Sequence, residues 1–123
     1  MAAPNILSLT TATGKTTYLT PANTTANVLL ANSASSGKVF KINQIVAANT
    51  TGTAANVTVA VNTLAAGSGT SYSIAGAISV PANASLIVVD KTMMVYLEED
   101  KSILVTSGTS SSITYTISYE DLS

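Results

Sequence analysis

Ser112-Ile113-Thr114-Tyr115-Thr116-Ile117-Ser118-Tyr119 alternates without a break. Ile113, Tyr115, Ile117 and Tyr119 fall on one side, and only Ser and Thr fall on the other. Successive side chains point to opposite faces of a strand, so this run predicts a half-buried β-strand. Ala55-Asn56-Val57-Thr58-Val59-Ala60-Val61-Asn62 repeats the pattern, with three Val on one face. Tyr72, Ile74, Ile78 and Val80 carry it across Gly76, where a bulge or bend is expected.

Outward from these runs, Asn27 to Ala31 and Val39 to Ala48 read as further strands, the second with a phase slip near Asn43-Gln44. Leu86 to Val89, Val95 to Leu97 and Ile103 to Thr106 are short and apolar on both faces, as strands in the middle of a sandwich would be. Turn-forming clusters separate them, among them Ser35-Ser36-Gly37, Thr50-Thr51-Gly52, Gly67-Ser68-Gly69, Pro81-Ala82-Asn83 and Ser107-Gly108. The spacing suits an all-β sandwich or barrel, and no useful helical period appears. The expected fold is all-β: a single-domain β-sandwich, jelly-roll-like, with about eight strands. Residues 14–123 are expected to form the sandwich, and residues 1–13 an N-terminal arm or edge strand. Ile6, Leu7 and Leu9 make that segment apolar enough to pack on a neighbouring subunit's sheet. The faces carry few charges to block such edge pairing.

Composition agrees. The 123 residues include nineteen Thr, sixteen Ser, nine Asn and eighteen Ala, with only 9% charged. Thr and Val suit pleated sheets because branching at Cβ restricts χ1 there at little cost. His, Cys, Trp and Arg are all absent. This leaves no imidazole base, no thiol nucleophile, no disulfide framework, no Cys/His zinc site and no guanidinium fork for phosphate. A net charge of −1 argues against electrostatic capture of nucleic acid or of an anionic membrane. The first residues, Met1-Ala2-Ala3-Pro4-Asn5-Ile6-Leu7, show no basic stretch followed by an apolar run of signal-peptide length. The expectation is synthesis and retention in a cytoplasm, or release by lysis. Asn23, Asn49, Asn56 and Asn83 each begin an N-x-[ST] sequon and read as ordinary surface Asn.

Gly14-Lys15-Thr16 matches the end of a phosphate-binding loop, but Leu9 stands where the first Gly of that motif belongs. A β-prone run follows instead of a helix. The reading is a turn at Thr13-Gly14 leading into a strand, with Lys15 solvated. The acidic run Glu98-Glu99-Asp100 lacks the alternating oxygens and Gly turn of a calcium loop, so no metal site is assigned. Asp90, Glu120 and Asp121 show no paired arrangement for glycoside hydrolysis, and no G-x-S-x-G elbow exists. No catalytic residue and no cofactor site are assigned. Among the Tyr, Tyr115 and Tyr119 alternate with Ile and read as core; Tyr18, Tyr72 and Tyr96 are the exposed candidates. Met93 and Met94 are adjacent, so one of them should face outward, as an adaptable contact would. Ile6, Leu7, Leu9, Tyr18, Met93, Met94 and Tyr96 are therefore the candidate interface residues.

Residues 80–123, VPANASLIVVDKTMMVYLEEDKSILVTSGTSSSITYTISYEDLS, run from Pro-Ala-Asn through apolar strands, an acidic turn and a Ser/Thr loop to the alternating strand. Together with KVFKINQIVAANTTGTAANVTVAV at residues 38–61, this resembles small virion structural proteins of tailed bacteriophages, particularly those of cyanobacterial phages. The resemblance implies a non-enzymatic particle component located in the virion after synthesis in the host cytoplasm. Its foremost form is a capsid decoration or cement protein bound to the lattice of the major capsid protein, and itself a homo-oligomer. Alternatives are a neck, tail or baseplate accessory protein, or a receptor- or glycan-binding β-module. A lattice tile gains by multivalency, so each contact can be modest.

Overall fold

The structure is a computed structural model that describes residues 4–123. Among these, nine strands appear: β1 (Ala12–Leu19), β2 (Asn27–Asn32), β3 (Val39–Asn49), β4 (Ala55–Asn62), β5 (Ser71–Val80), β6 (Ser85–Val89), β7 (Val95–Leu97), β8 (Lys101–Ser107) and β9 (Ile113–Leu122). A 3-10 turn, Lys91–Met93, lies between β6 and β7. The front sheet has the order β1-β9-β3-β6, with β7 also paired to β3; the back sheet has the order β2-β8-β4-β5.

The ladders are all antiparallel and nested. β4 pairs β5, β3 pairs β6 and β7, β2 pairs β8, and β1 pairs β9. One long antiparallel ribbon is thus rolled up, and it is closed by β9 on β3 and by β8 on β4. That is a jelly roll. β6 and β7 share the place of one strand, interrupted by the 3-10 turn, which brings the expected eight strands to nine.

The alternation read from the sequence is real where the strands are regular. Ile113, Tyr115 and Ile117 are fully buried, while Thr114, Thr116 and Ser118 are half-exposed. They meet Val57, Val59, Ile103 and Val105 of the back sheet in one core. The phase slip expected near Asn43 is present, as the β3–β9 register breaks between Ile42 and Gln44. The bend expected at Gly76 is present too: the β4–β5 register breaks there, and Ala77 has φ +50°. A second break, between Val59 and Ala60, has no counterpart in the sequence pattern. Beyond Val59, Ala60 and Asn62 are buried while Val61 is only half-buried, so the three Val do not share one environment.

Three strands end in a buried Asn that ties down the loop after it. Asn32 donates to the carbonyls of Lys38 and Leu97, and Asn49 to those of Thr53 and Val80. Asn62 donates to the Gly69 carbonyl and Ser71 Oγ, and its Oδ1 accepts from the N–H groups of Leu64 and Gly69. Buried loop backbone must find partners, and a short amide side chain supplies both a donor and an acceptor. Asn49 is thus a core residue rather than an ordinary surface sequon.

Candidate functional site

One part of the outer face of the back sheet has little contact with water, although Val28, Asn56, Thr58 and Thr106 on the same face remain exposed or half-exposed. Leu104, Ala60, Ser102 and Asn62 all belong to this face by register, and all are buried. The loop between β4 and β5, residues 63–70, covers them. Ser102 Oγ donates to the Leu64 carbonyl at 2.8 Å, and Asp100 Oδ1 accepts from the Ala65 N–H at 3.1 Å. Gly67 lies so close that an added Cβ would sit 3.0 Å from Leu104 and 3.2 Å from Val28, and its φ of +80° favours glycine.

The outer face of the front sheet has no such cover among the described residues. Its residues fall into rows that cross the strands. One row runs Tyr18, Thr116, Val46, Ile87, fixed by the registers of β1–β9, β9–β3 and β3–β6. Ser118 and Gln44 pair in the row below it, with Thr16 beside Ser118. The next row runs Gly14, Glu120, Lys41, Tyr96. Tyr18 is 75% exposed and Ile87 59% exposed, and they stand at opposite edges of the sheet. Hydroxyl pairs link the outer positions, Thr16 to Ser118 at 3.2 Å and Thr20 to Thr114 at 2.8 Å. The upper rows are uncharged, and Glu120 and Lys41 sit side by side in the lower one.

At the rim below these rows lies Asp121, buried and bracketed by two amines. Lys15 Nζ is 2.8 Å and Lys38 Nζ 3.2 Å from its Oδ2. Burial pushes the Asp121 carboxyl up, but the hydrogen bonds and charges of the two Lys outweigh it and hold the pKa below the ordinary carboxylate value. The same contact raises the Lys15 pKa. Lys15 is therefore an ion-pair partner within β1, and Gly14-Lys15-Thr16 is strand rather than turn. Tyr115 is buried, and its hydroxyl donates to the Thr106 carbonyl and pairs with Ser107 Oγ, both at 3.0 Å. Burial raises its pKa, an effect partly offset by Ser107. These groups tie strands together. Among the described residues there is no cleft for a small ligand and no group of three potential metal-binding side chains.

The candidate interface residues divide among three places. Ile6, 52% exposed, and Leu7, 89% exposed, lie in a turn before β1, with Leu9 half-buried beyond them. Residues 10–11 already hydrogen-bond to Ser123, and Ala12 and Thr13 belong to β1; residues 1–3 lie outside the described residues. Tyr18 is on β1 and Tyr96 on β7, at opposite edges of the front sheet. Met93 and Met94 are both exposed at the 3-10 turn, where Met94 takes a left-handed φ of +53°. Tyr72 lies on β5 of the back sheet, so Tyr18, Tyr72 and Tyr96 do not make one stacking platform. Ile87, Lys41 and Glu120 carry no local signal that marks them. The register that sets them beside one another is a property of paired strands and not of any local run. A scan of protein-family models and a search of curated proteins return no match.

Proposed function

We propose that this chain is a non-enzymatic structural subunit of a phage virion, foremost a capsid decoration protein that binds the capsid lattice. The observation that supports it most is the distribution of apolar surface. Leu7, Tyr18, Met94, Ile87, Ile6 and Met93 are each about half or more exposed on a small sandwich whose charged groups near the core hold strands together. Tyr18 and Ile87 share one row of the front face and Met93 and Met94 share one turn, and large apolar side chains held in such places supply contact area to a partner. Met and Tyr adapt to a partner without bringing charges that must be desolvated. A jelly roll also offers a rigid body from which such side chains project, so little order is lost on docking. A neck, tail or baseplate position would use the same surface chemistry.

The test is immunogold electron microscopy of particles from the phage that encodes the chain. Regular label over the head is the expected result. Label at one vertex or along the tail would move the subunit to the neck, tail or baseplate. Unlabelled intact particles, with the protein confined to lysate, would overturn the virion reading.

A further inference from the structure

We propose that the outer face of the front sheet is a self-complementary interface, and that a second copy of this chain packs on it about a two-fold axis parallel to the strands. This goes beyond the virion reading and does not depend on it.

The row Gly14, Glu120, Lys41, Tyr96 crosses all four positions of the sheet. Across the sheet it reads small, negative, positive, large. A two-fold axis lying between β9 and β3, in the plane of contact, reverses this order in the second copy. Glu120 then faces Lys41 of the other copy, and Lys41 faces its Glu120. Gly14, beside which an added Cβ would meet only open space, faces Tyr96. One operation therefore matches charge with opposite charge and a large side chain with a gap. Such an isologous contact is the usual form of a dimer interface.

The row above obeys the same rule. Tyr18 faces Ile87 of the second copy, and Thr116 faces Val46, so both contacts remove from water side chains that are wholly or partly exposed in the single chain. A two-fold axis across the strands would instead set Lys41 over the uncharged upper part of β3, near Val46 and Ala48, and bury it unpaired. Charge thus chooses between the two axes. Among the described residues neither Lys41 nor Glu120 makes an ion pair, so each keeps its charge available to a partner.

Area sets the strength. With a further row of Thr114, Ala48 and Ser85 above those named, four strands about 4.8 Å apart and four rows about 7 Å apart make a face of about 500 Å². Two copies together lose about 1,000 Å², the lower end for a specific contact, so the dimer is weak. Aligned sheet packing at about 30° is compatible with an axis parallel to the strands. The back sheet has no such continuous open face, since the 63–70 loop lies over Leu104 and Ser102 at its centre.

The experiment is sedimentation equilibrium of purified protein from about 1 µM to about 1 mM, a range that brackets weak association. Wild type is expected to show a reversible monomer–dimer equilibrium. Lys41→Glu and Glu120→Lys should each weaken it at least about tenfold, because each sets like charges face to face. An equal mixture of the two variants should restore association to within about threefold of wild type. In the mixed dimer the Lys41→Glu copy presents a carboxylate at both positions 41 and 120 and the Glu120→Lys copy an amine at both, so each facing pair is again opposite in charge. Rescue that requires two different molecules cannot arise from the neighbouring pair within one chain. Thr116→Lys, at the centre of the face, gives a second disruption should either reversal fail to fold. A wild type that stays monomeric throughout would overturn the proposal. So would single variants that associate as well as wild type, or a mixture that does not recover. Virion labelling is read on particles and this equilibrium on isolated protein, so either idea can fail without the other.

Discussion

Leu104 and Val46 hold comparable stations on central strands of the two sheets, and both point away from the core by register. Leu104 is 6% exposed, whereas Val46 is only half-buried. Neither the strand nor the residue type explains the contrast. The difference comes from eight residues between β4 and β5 that fold back over one sheet and are held by Asn62, Ser102 and Asp100. The back sheet covers the middle of its outer face within the chain. The front sheet leaves hydroxyls, two large apolar side chains and one opposed charge pair open to a neighbour. Sheets with both faces covered read as apolar on both sides, and sheets with one covered face alternate. β8 and β9 are these two cases in one molecule.

The sharpest way to break the comparison is to shorten both residues. Leu104→Ala is expected to lower the free energy of unfolding by about 3 kcal/mol, as for a core leucine. Val46→Ala should cost under about 1 kcal/mol in monomeric protein, as for a surface site. Urea denaturation of both variants checks this, and equal small losses would mean that the loop shields Leu104 without packing on it. Asn62→Ala comes next, at about 2 kcal/mol, because the N–H groups of Leu64 and Gly69 and the Gly69 carbonyl lose their partner together. Faster hydrogen exchange in residues 63–70 with β9 unchanged would place the damage in the loop. Increased exchange throughout would instead make Asn62 a support of the whole core.

A smaller effect than the loss of either core packing or the Asn62 partners concerns Asp121 at the rim. Its folded pKa lies below the ordinary value, so the folded chain binds fewer protons than the unfolded chain. The stabilisation is complete above the unfolded carboxylate pKa and is lost as pH falls through the folded one. Removing the carboxylate is expected to cost about 1 kcal/mol near neutral pH, since both Lys partners remain well hydrated. The urea midpoint of wild type should fall more steeply than that of Asp121→Asn between about pH 4 and about pH 2. Parallel curves would show that the two Lys contribute nothing to folding.

The sandwich was legible because Ile113 to Tyr119 and Ala55 to Val59 alternate cleanly, and turn residues punctuate the chain at strand-length intervals. The position of each strand was not. Ser85-Leu86-Ile87-Val88-Val89 and Ser102-Ile103-Leu104-Val105-Thr106 have nearly the same character. The first is an edge strand that exposes Ile87, and the second is central and buried on both faces. Local pattern records how apolar a strand is, but not which neighbour makes it so. The same limit hid the row of Gly14, Glu120, Lys41 and Tyr96, whose members come from four strands. Exposure of Tyr18 was readable, but only one of Met93 and Met94 was expected to face outward, and the 3-10 turn with the left-handed Met94 exposes both.

The central claim is that the front face, and not the back, is what this chain offers to another molecule of itself. Methyl NMR of the Val, Leu and Ile side chains on dilution tests it most directly. The expected result is a concentration-dependent shift of the Val46 and Ile87 methyl signals, with those of Leu104 and Val28 unmoved. Shifts confined to Val28, Leu64 and Leu104, or none at any site up to about 1 mM, would contradict it.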